Sequence, residues 1–224
     1  MSLKKALLIV FSVLLLDQAV KLYVKTHFHL GESVKVFDWF KIYFVENNGM
    51  AFGAEWGGET GKILLTVFRI IAIAGILYWL LTSIKKKEHP LLIISISLIL
   101  AGAIGNIIDS VFYGQIFTDS FSQIAEIFPD KGYAPWLQGK VVDMLYFPLF
   151  DINIPQNIPF IGGKHFTFFE PVFNIADSAI TIGVLILILF NKKIFGEKTE
   201  KKEKTFHEEM KEIINDPSQN IAQL

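Results

Sequence analysis

Two carboxylic acids lie in apolar segments, where a buried charge is unfavourable. Asp177 follows Asn174 by three residues in "PVFNIADSAITIGVLILILF" (171–190), a run long enough to enter a membrane. Asp143 lies in the apolar segment "GKVVDMLYF". A carboxylate at the centre of a bilayer costs roughly 2.5–3.5 kcal/mol on insertion scales, so it usually lies near the surface or faces a polar interior. Packing alone does not account for two such residues, and we expect both to have a function.

The chemistry open to such a pair depends on how close the two carboxylates lie. If they are close, repulsion and partial desolvation raise one pKa, and the pair shares one proton near neutral pH. The ionised member can take a proton from a water molecule, while the protonated member hydrogen-bonds to a scissile carbonyl and later protonates the leaving amine. This is aspartic-peptidase chemistry, and it requires no metal and no cofactor. The substrate would be a peptide that reaches the outer interface of a membrane.

Composition excludes several other kinds of site. The chain of 224 residues has no cysteine, which excludes disulfides, thiol catalysis and cysteine metal sites. Its five histidines are scattered and form no HExxH-like pair of metal ligands. Hydrophobic residues make up 52% of the chain and occur in blocks, a pattern typical of a membrane protein.

Four apolar blocks are predicted to position these residues as transmembrane helices. They lie at about 5–24, 62–84, 90–112 and 171–190, each near the roughly 20 residues that span a bilayer. The first block lacks a small-x-small cleavage site after "DQAVKLYV", so we interpret it as a retained helix and not a cleaved signal peptide. We predict one membrane domain over residues 1–195 and a charged cytoplasmic tail over 196–224.

Lysine clusters predict the orientation of these helices. Lys4 and Lys5 precede the first block, residues 85–87 link the second to the third, and Lys192 and Lys193 follow the fourth. All three clusters fall on one side, which the positive-inside rule makes cytoplasmic, together with both termini.

The two long loops, 25–61 and 113–170, would then lie outside. Residues 33–49 ("SVKVFDWFKIYFVENNG") alternate apolar and polar residues and end in a turn-prone Asn-Asn-Gly, a pattern that predicts strands. The second loop is interpreted as short strands joined by turns. In the tail, the helical spacing of Phe206, Met210 and 213–214 allows a short amphipathic helix, although we favour the simpler interpretation of a solvated tail with little function.

The predicted topology places the polar residues of the spans at one depth, just inside the outer membrane surface. They have structural explanations as well. Asp17 and Lys21, four residues apart, form a possible structural ion pair. Asparagines in helical bundles often bridge helices, and glycines such as Gly102 and Gly105 allow close helix packing. Arg69 is interpreted as extending toward the outer surface. The residues at this depth are Asp17, Lys21, Asn47, Asn106, Asp109, Asp143, Asn174 and Asp177.

Three other functions remain open from the residues alone. Buried carboxylates also mark transporters and proton-coupled channels, although such residues usually step through the bilayer. A Ser/Lys peptidase would use Ser110 or Ser178 with Lys21. A membrane scaffold without enzymatic activity would tolerate the loss of either aspartate.

Four segments of the chain form a recognisable series: "LLDQAVKLYV", "NNGMAFG", "GNIIDS" with the later "GKVVDM", and "FNIADSAI". In these segments, the chain resembles the lipoprotein signal peptidase (signal peptidase II) family. The resemblance implies an aspartyl endopeptidase of the bacterial cytoplasmic (inner) membrane. Such an enzyme removes signal peptides from prolipoproteins, cutting before the diacylglyceryl-modified cysteine. The resemblance further implies the fold: an α-helical integral membrane protein of four transmembrane helices with a small extracytoplasmic β-sheet cradle.

The resemblance also implies roles for residues. Asp143 and Asp177 correspond to the catalytic pair. The expected partners are diacylated prolipoproteins and membrane lipids, with no nucleic acid, and the protein is expected to be a monomer. Supporting and substrate-binding positions correspond to Asp17, Lys21, Asn47, Gly49, Asn106, Asp109 and Asn174.

Three departures from the family pattern affect the predicted site. Ser110 replaces the arginine that usually follows the "GNxxD" aspartate, and Met50 replaces a small residue. Residues 113–139 are interpreted as an insertion, as is part of 149–169. Such an insertion is often a tolerated surface loop, but our hypothesis is that this one shapes substrate access.

Overall fold

The computed structural model describes residues 1–49, 58–148 except 122, 150–153, 165–168 and 171–196, together with the single residues 156, 157, 159, 163 and 210. Met50, most of the 149–169 segment and the tail helix suggested around Met210 lie outside these ranges, apart from Met210 itself. Those predictions therefore stay untested.

Three long helices match the first three predicted spans. They are α1 (Leu3–His27), α2 (Gly58–Lys85) and α3 (Pro90–Ile108). The Ser2 hydroxyl caps α1 by accepting the Lys5 amide at 3.4 Å, and Pro90 begins α3, where its missing N–H is not needed. All three helices, α3 with its extension to Ile116, are long and apolar enough to cross a membrane.

The fourth predicted span is a shorter apolar helix. Helix α5 (Ile175–Leu189) has 15 residues, which gives a length of about 22 Å. Helical geometry resumes at residues 191–196. The predicted start at residue 171 is wrong for the helix, because residues 171–174 form a short strand and a cap.

Helix α3 leaves its α-helical path through a π-helical turn, Asp109–Tyr113, and one further turn, α4 (Gly114–Ile116). The chain then forms an irregular segment that ends beside this π-helical turn. The amide of Gly139 donates to the Ser110 carbonyl at 2.8 Å, and that of Leu137 donates to the Val111 carbonyl at 3.2 Å. The predicted insertion is thus closed onto the end of α3.

The strands form one sheet of four strands and one separate pair. The alternating pattern predicted strands here, and this prediction is confirmed by β1 (Ser33–Phe37) and β2 (Phe40–Asn47). The antiparallel hairpin that they form, with its turn at residues 38–39, was not predicted. The remaining strands are β3 (Val141–Tyr146), β4 (Phe150–Asn153), β5 (His165–Phe168) and β6 (Val172–Phe173). The strands of the large sheet are antiparallel in the order β1-β2-β3-β6, and β4 pairs with β5.

Helix α3 is the packing centre of the helices, in contact with α1, α2 and α5. Glycines make these contacts close, as predicted. A Cβ atom on Gly105 would lie 2.7 Å from Asp17 Oδ2 and 3.0 Å from the Cβ atom of Ala176, and one on Gly102 would overlap the Ala176 carbonyl. By contrast, α1 and α2 expose large apolar side chains such as Phe11 and Phe68, the arrangement expected of helices that face lipid.

Candidate active site

The two aspartates predicted to act together are joined through one asparagine. Asp143 lies on β3, and Asp177 lies in the first turn of α5. Asn174 is the N-cap of α5: its side-chain oxygen accepts the Asp177 amide at 2.9 Å, while the Asp177 carboxylate accepts the Asn174 amide at 3.3 Å. The Asn174 side-chain amide also donates to Asp143 Oδ1 at 2.7 Å. A capping box that begins a helix therefore also binds the carboxylate on the neighbouring strand.

Two more asparagines hold the carboxylates from other elements. Asn106 Nδ2, on α3, donates to Asp177 Oδ1 at 2.7 Å, and Asn106 Oδ1 accepts from Asn174 at 3.0 Å. Asn47 Nδ2, at the end of β2, donates to Asp143 Oδ2 at 3.3 Å. The interpretation of Asn106 and Asn174 as bridges between elements is confirmed, and the same bonds orient the two carboxylates.

The electrostatic environment of Asp143 differs from that of a surface carboxylate. Its exposed fraction is 3%. Burial and, after it, the nearby Asp177 carboxylate raise the pKa of Asp143 to about 7, although hydrogen bonds from Asn47 and Asn174 oppose the shift. Asp143 therefore holds a proton in a large part of the molecules near neutral pH, as expected for a pair that shares one.

A buried ion cluster lies behind the pair. The Lys21 ammonium is fully buried and contacts Asp17 at 3.1 Å, Asp109 at 2.8 Å and the Asn106 side-chain oxygen at 2.9 Å. Asp17 accepts the backbone amide of Ala176 at 2.8 Å, and Asp109 accepts that of Val142 at 3.1 Å. The predicted Asp17–Lys21 ion pair is therefore part of a larger cluster that fixes α1 and α3 to both site-bearing elements.

Two residues of this cluster were not predicted. The Gln18 side-chain amide donates to Asp17, to Asp109 Oδ1 at 3.0 Å and to the Gly105 carbonyl at 3.1 Å. The Tyr113 hydroxyl donates to Gln18 Oε1 at 3.1 Å. Gln18 was detectable as a second polar residue beside Asp17 in an apolar span, whereas the partner of Tyr113 lies 95 residues away in sequence.

The loop after β2 adds a contact that sequence analysis also missed. Gly49 has a φ of +85°, a conformation that favours glycine. Its amide donates to Asn47 Oδ1 at 2.8 Å, and its carbonyl accepts from the Arg69 guanidinium. Arg69, which the sequence placed only near the outer surface, also interacts electrostatically with Asp177. Arg69 thus links α2 to the asparagine that holds Asp143.

The chain matches proteins of a known family over most of its length. The family model described as Signal peptidase (SPase) II matches residues 9–192. The chain belongs to the signal peptidase II family. A lipoprotein signal peptidase of Porphyromonas gingivalis is 52% identical over 179 residues, which cover 79% of this chain and 78% of that protein. One from Amoebophilus asiaticus is 36% identical over 194 residues, which cover 85% of this chain and 78% of that protein.

Two solved structures of bacterial membrane enzymes are also similar. One is 27% identical with a TM-score of 0.55, and the match covers 85% of this chain and 89% of that one. The other is 28% identical with a TM-score of 0.54, and the match covers 84% of this chain and 92% of that one. Signal peptidase II enzymes are aspartic peptidases, so the predicted family and enzyme class are confirmed. These matches give no support to the transporter alternative.

The Ser/Lys alternative also lacks a geometric basis in this signal peptidase II member. The Ser110 hydroxyl donates to the Asn106 carbonyl at 3.0 Å, and the Ser178 hydroxyl donates to the Asn174 carbonyl at 2.9 Å. Both serines bond their own helix backbone, and Lys21 is occupied by Asp17, Asp109 and Asn106.

A second buried ion network lies on the far side of β2. The Glu46 carboxylate contacts Lys25, the Ser120 hydroxyl at 2.9 Å and the Lys140 ammonium at 3.2 Å. Burial by itself would raise the pKa of Glu46, but the ammonium groups of Lys25 and Lys140 hold it below its ordinary value. Lys25 also donates to the Ser120 hydroxyl at 2.9 Å. Through Ser120, the predicted insertion is bound to the sheet that carries Asp143.

Proposed function

We propose that the protein removes signal peptides from prolipoproteins and cuts before the diacylglyceryl-modified cysteine, with Asp143 and Asp177 as the catalytic pair. The observation that carries this proposal is that Asn174 binds both carboxylates: its side-chain amide donates to Asp143 and its backbone amide donates to Asp177. The family assignment supports the reaction, and the raised pKa of Asp143 supports the division of roles between the two carboxylates.

In the proposed mechanism, Asp177 acts as the base and Asp143 as the acid. Asp177 takes a proton from a water molecule while the water oxygen adds to the scissile carbonyl carbon. Protonated Asp143 donates a hydrogen bond to the carbonyl oxygen as it gains negative charge. The C–N bond then breaks as Asp143 transfers its proton to the nitrogen of the cysteine and the carbonyl re-forms. Asp177 keeps the proton taken from water, so the pair again shares one proton. The signal peptide leaves with a new carboxyl group, and the lipoprotein keeps a free amine.

The surrounding residues are proposed to position this pair. Asn47 and Asn106 each fix one oxygen of a catalytic carboxylate. Lys21, with Asp17 and Asp109, holds the elements that carry the pair. Because Arg69 binds the Gly49 carbonyl and Gly49 binds Asn47, Arg69 acts on Asp143 indirectly, as a positioning residue.

We also propose an arrangement in the bacterial cytoplasmic membrane. Helices α1, α2, α3 and the shorter α5 span it, both termini are cytoplasmic, and the β-sheet lies outside. The pair then lies just inside the outer surface, where a substrate anchored by acyl chains presents its cysteine. The apolar signal helix enters laterally between spans from the surrounding lipid, and one monomer forms the whole site.

The test is cleavage of a diacylated prolipoprotein by purified protein in detergent or lipid. Asp143→Asn and Asp177→Asn should each lower kcat by about 10²–10⁴-fold, the usual contribution of a positioned acid or base. Ser110→Ala is the matched control, since the Ser110 hydroxyl bonds only the backbone of its own helix, and a parallel reaction contains a metal chelator.

Each outcome has a distinct meaning. Cleavage before the cysteine that is lost in both Asn variants, but kept by Ser110→Ala and with chelator, supports the two-aspartate mechanism. Full activity in either Asn variant refutes that assignment. A folded wild-type protein that cleaves no lipidated substrate refutes the proposed substrate class.

A further inference from the structure

A cavity of about 350 Å³ is lined by Asn48 and Lys140, which lie close in sequence to residues of the candidate site. It is formed by the loop after β2, the first turns of α2, the insertion and the residue that precedes β3. Its volume is in the range of sites that bind small ligands or short peptide segments. Two lysines and two carboxylates are among the residues that line it. The lining residues are Asn48, Gly58, Glu59, Lys62, Asp119, Tyr133, Ala134, Gln138 and Lys140.

One wall of this cavity is fixed by the ion network around Glu46. Lys140 bonds Glu46 at 3.2 Å and lies 3.8 Å from Asp119, and its own backbone amide donates to the Tyr133 hydroxyl at 2.7 Å. The Lys140 side chain is 31% exposed, whereas that of Glu46 is 3% exposed. The buried half of the network thus holds Lys140 in place, while its exposed part lies at the cavity wall.

The cavity adjoins the reacting groups along two chain segments. Asn48 directly follows Asn47, whose side chain binds Asp143. Lys140 precedes Asp143 by three residues, which is about 10 Å along an extended chain. Because Lys140 and Glu46 lie on the opposite face of the sheet from Asp143, an extended substrate would pass the adjacent ends of β2 and β3. It would then reach the cavity with about the third or fourth residue from the scissile bond.

We propose that this cavity binds the polypeptide segment that follows the lipid-modified cysteine of the substrate. This inference rests on the proposed function. The signal helix and the acyl chains are apolar, and they match the exposed apolar faces of α1 and α2. The segment after the cysteine is the part of the substrate that leaves the membrane. It needs polar partners, and the cavity offers the ammonium groups of Lys62 and Lys140 with the carboxylates of Glu59 and Asp119.

The inference makes the insertion a determinant of specificity. Asp119, Tyr133, Ala134 and Gln138 all belong to it and line the cavity. The substrate residues two to five positions after the cysteine should therefore affect cleavage, even though they are remote from the scissile bond. Removal of these substrate residues should raise KM more than it lowers kcat, because their contacts do not depend on the reacting atoms.

The experiment compares diacylated substrates that are identical up to the cysteine. One continues for six polar residues, one ends as an amide one residue after the cysteine, and two carry either acidic or basic residues at positions two to five. The short substrate should show a kcat/KM lower by roughly 2- to 12-fold, the range of one net hydrogen bond. The double variant Glu59→Lys/Asp119→Lys should shift the acidic-to-basic preference by about two- to five-fold toward acidic substrates.

Lys35→Gln is the matched control. It removes a lysine from an exposed ion pair with Asp38 on the hairpin, away from the cavity, and should leave every ratio unchanged. Asp119 is 49% exposed and Glu59 is exposed, so the double variant is expected to fold. Equal kcat/KM for the long and short substrates, or a charge preference that the double variant does not change, overturns the inference. A wild type that cleaves none of the substrates contradicts the proposed function instead.

Discussion

Asn174 both caps a helix and binds one of the two proposed catalytic carboxylates. As the N-cap of α5 it accepts the Asp177 amide, and as a donor it binds Asp143 at 2.7 Å. The first contact stabilises a helix, whereas the second orients an acid. The same side chain therefore sets both where α5 begins and how the two aspartates face each other.

A substitution separates these two functions. Asn174→Ala should lower the free energy of unfolding by about 1 kcal/mol through the lost cap, and should lower kcat by about tenfold or more because Asp143 loses a donor. Ser2→Ala is the control, since it removes the cap of α1 at an exposed site. It should affect stability by a similar or smaller amount and leave kcat unchanged. Thermal unfolding and initial rates measure the two effects, and an Asn174→Ala enzyme with normal kcat contradicts the orienting role.

The raised pKa of Asp143 predicts a dependence of stability on pH. Its folded value of about 7 is above its ordinary value of 3.8, so the folded state binds the proton more tightly. This stabilisation is complete below about pH 4 and is lost as the pH rises to about 7. The free energy of unfolding of the wild type should fall relative to Asp143→Asn by roughly 1.4 kcal/mol per pH unit in this window. Chemical unfolding in detergent at pH 4.5, 6 and 8 tests this, and a constant difference contradicts it.

At the scale of elements, the close contact of α3 with α1 and α5 predicts the effect of one methyl group. In Gly105→Ala the new Cβ atom would lie 2.7 Å from Asp17 Oδ2 and 3.0 Å from the Ala176 Cβ atom. Overpacking of this kind costs about 1–3 kcal/mol, and displacement of α5 should also lower kcat.

Gly75→Ala provides the matched control within another helix. A Cβ atom there meets nothing within 4 Å, so the substitution should be neutral or should stabilise α2 by up to about 1 kcal/mol through helix propensity. Thermal unfolding of the two variants distinguishes the effects. Equal stability of both would show that α3 can move away from its neighbours without loss.

The elements were largely predictable because their patterns are local. Apolar length predicted α1 to α3, and alternation over residues 33–49 predicted the strand structure of β1 and β2, although not the turn between them. The start of α5 was predicted too early, because the two residues of β6, Val172 and Phe173, are apolar and were counted as part of the helix. The excursion after α3 gave no periodic signal, since most of its hydrogen bonds return to the backbone of residues 110–117.

Some contacts of the candidate site were predictable from the depth at which the sequence places the residues in the membrane. Asp17, Lys21 and Asp109 do meet, as residues placed at one level should. Two contacts were not predictable in this way. Lys25 falls in the last turn of a helix, where a lysine is usually solvated, and its partner Glu46 belongs to a strand 21 residues later. The reach of the Arg69 side chain to Gly49 depends on how α2 packs, which no local pattern records.

At the scale of the whole molecule, the lysine clusters predict which surfaces face the outside. The chain has no cysteine, so single cysteines report their own side of the membrane. Phe121→Cys, at an 85% exposed position in the insertion, should react in intact cells with a maleimide that cannot cross the membrane. Lys86→Cys, exposed between α2 and α3, should react only after the cells are opened. Labelling of Lys86→Cys in intact cells would contradict the proposed orientation.

The hydrogen bond from Gly139 to Ser110 has a consequence for how this fold can vary. The chain between these residues leaves and returns at one turn of α3, so its length can change without moving the ends that adjoin the aspartate pair. Closing a longer loop adds only about 0.6 kcal/mol of entropy for each doubling of its length. Residues 117–138, which follow the helical turns that carry Tyr113, therefore form an exchangeable cassette. Exchange of this cassette between two peptidases with the same chemistry would therefore exchange part of their substrate specificity.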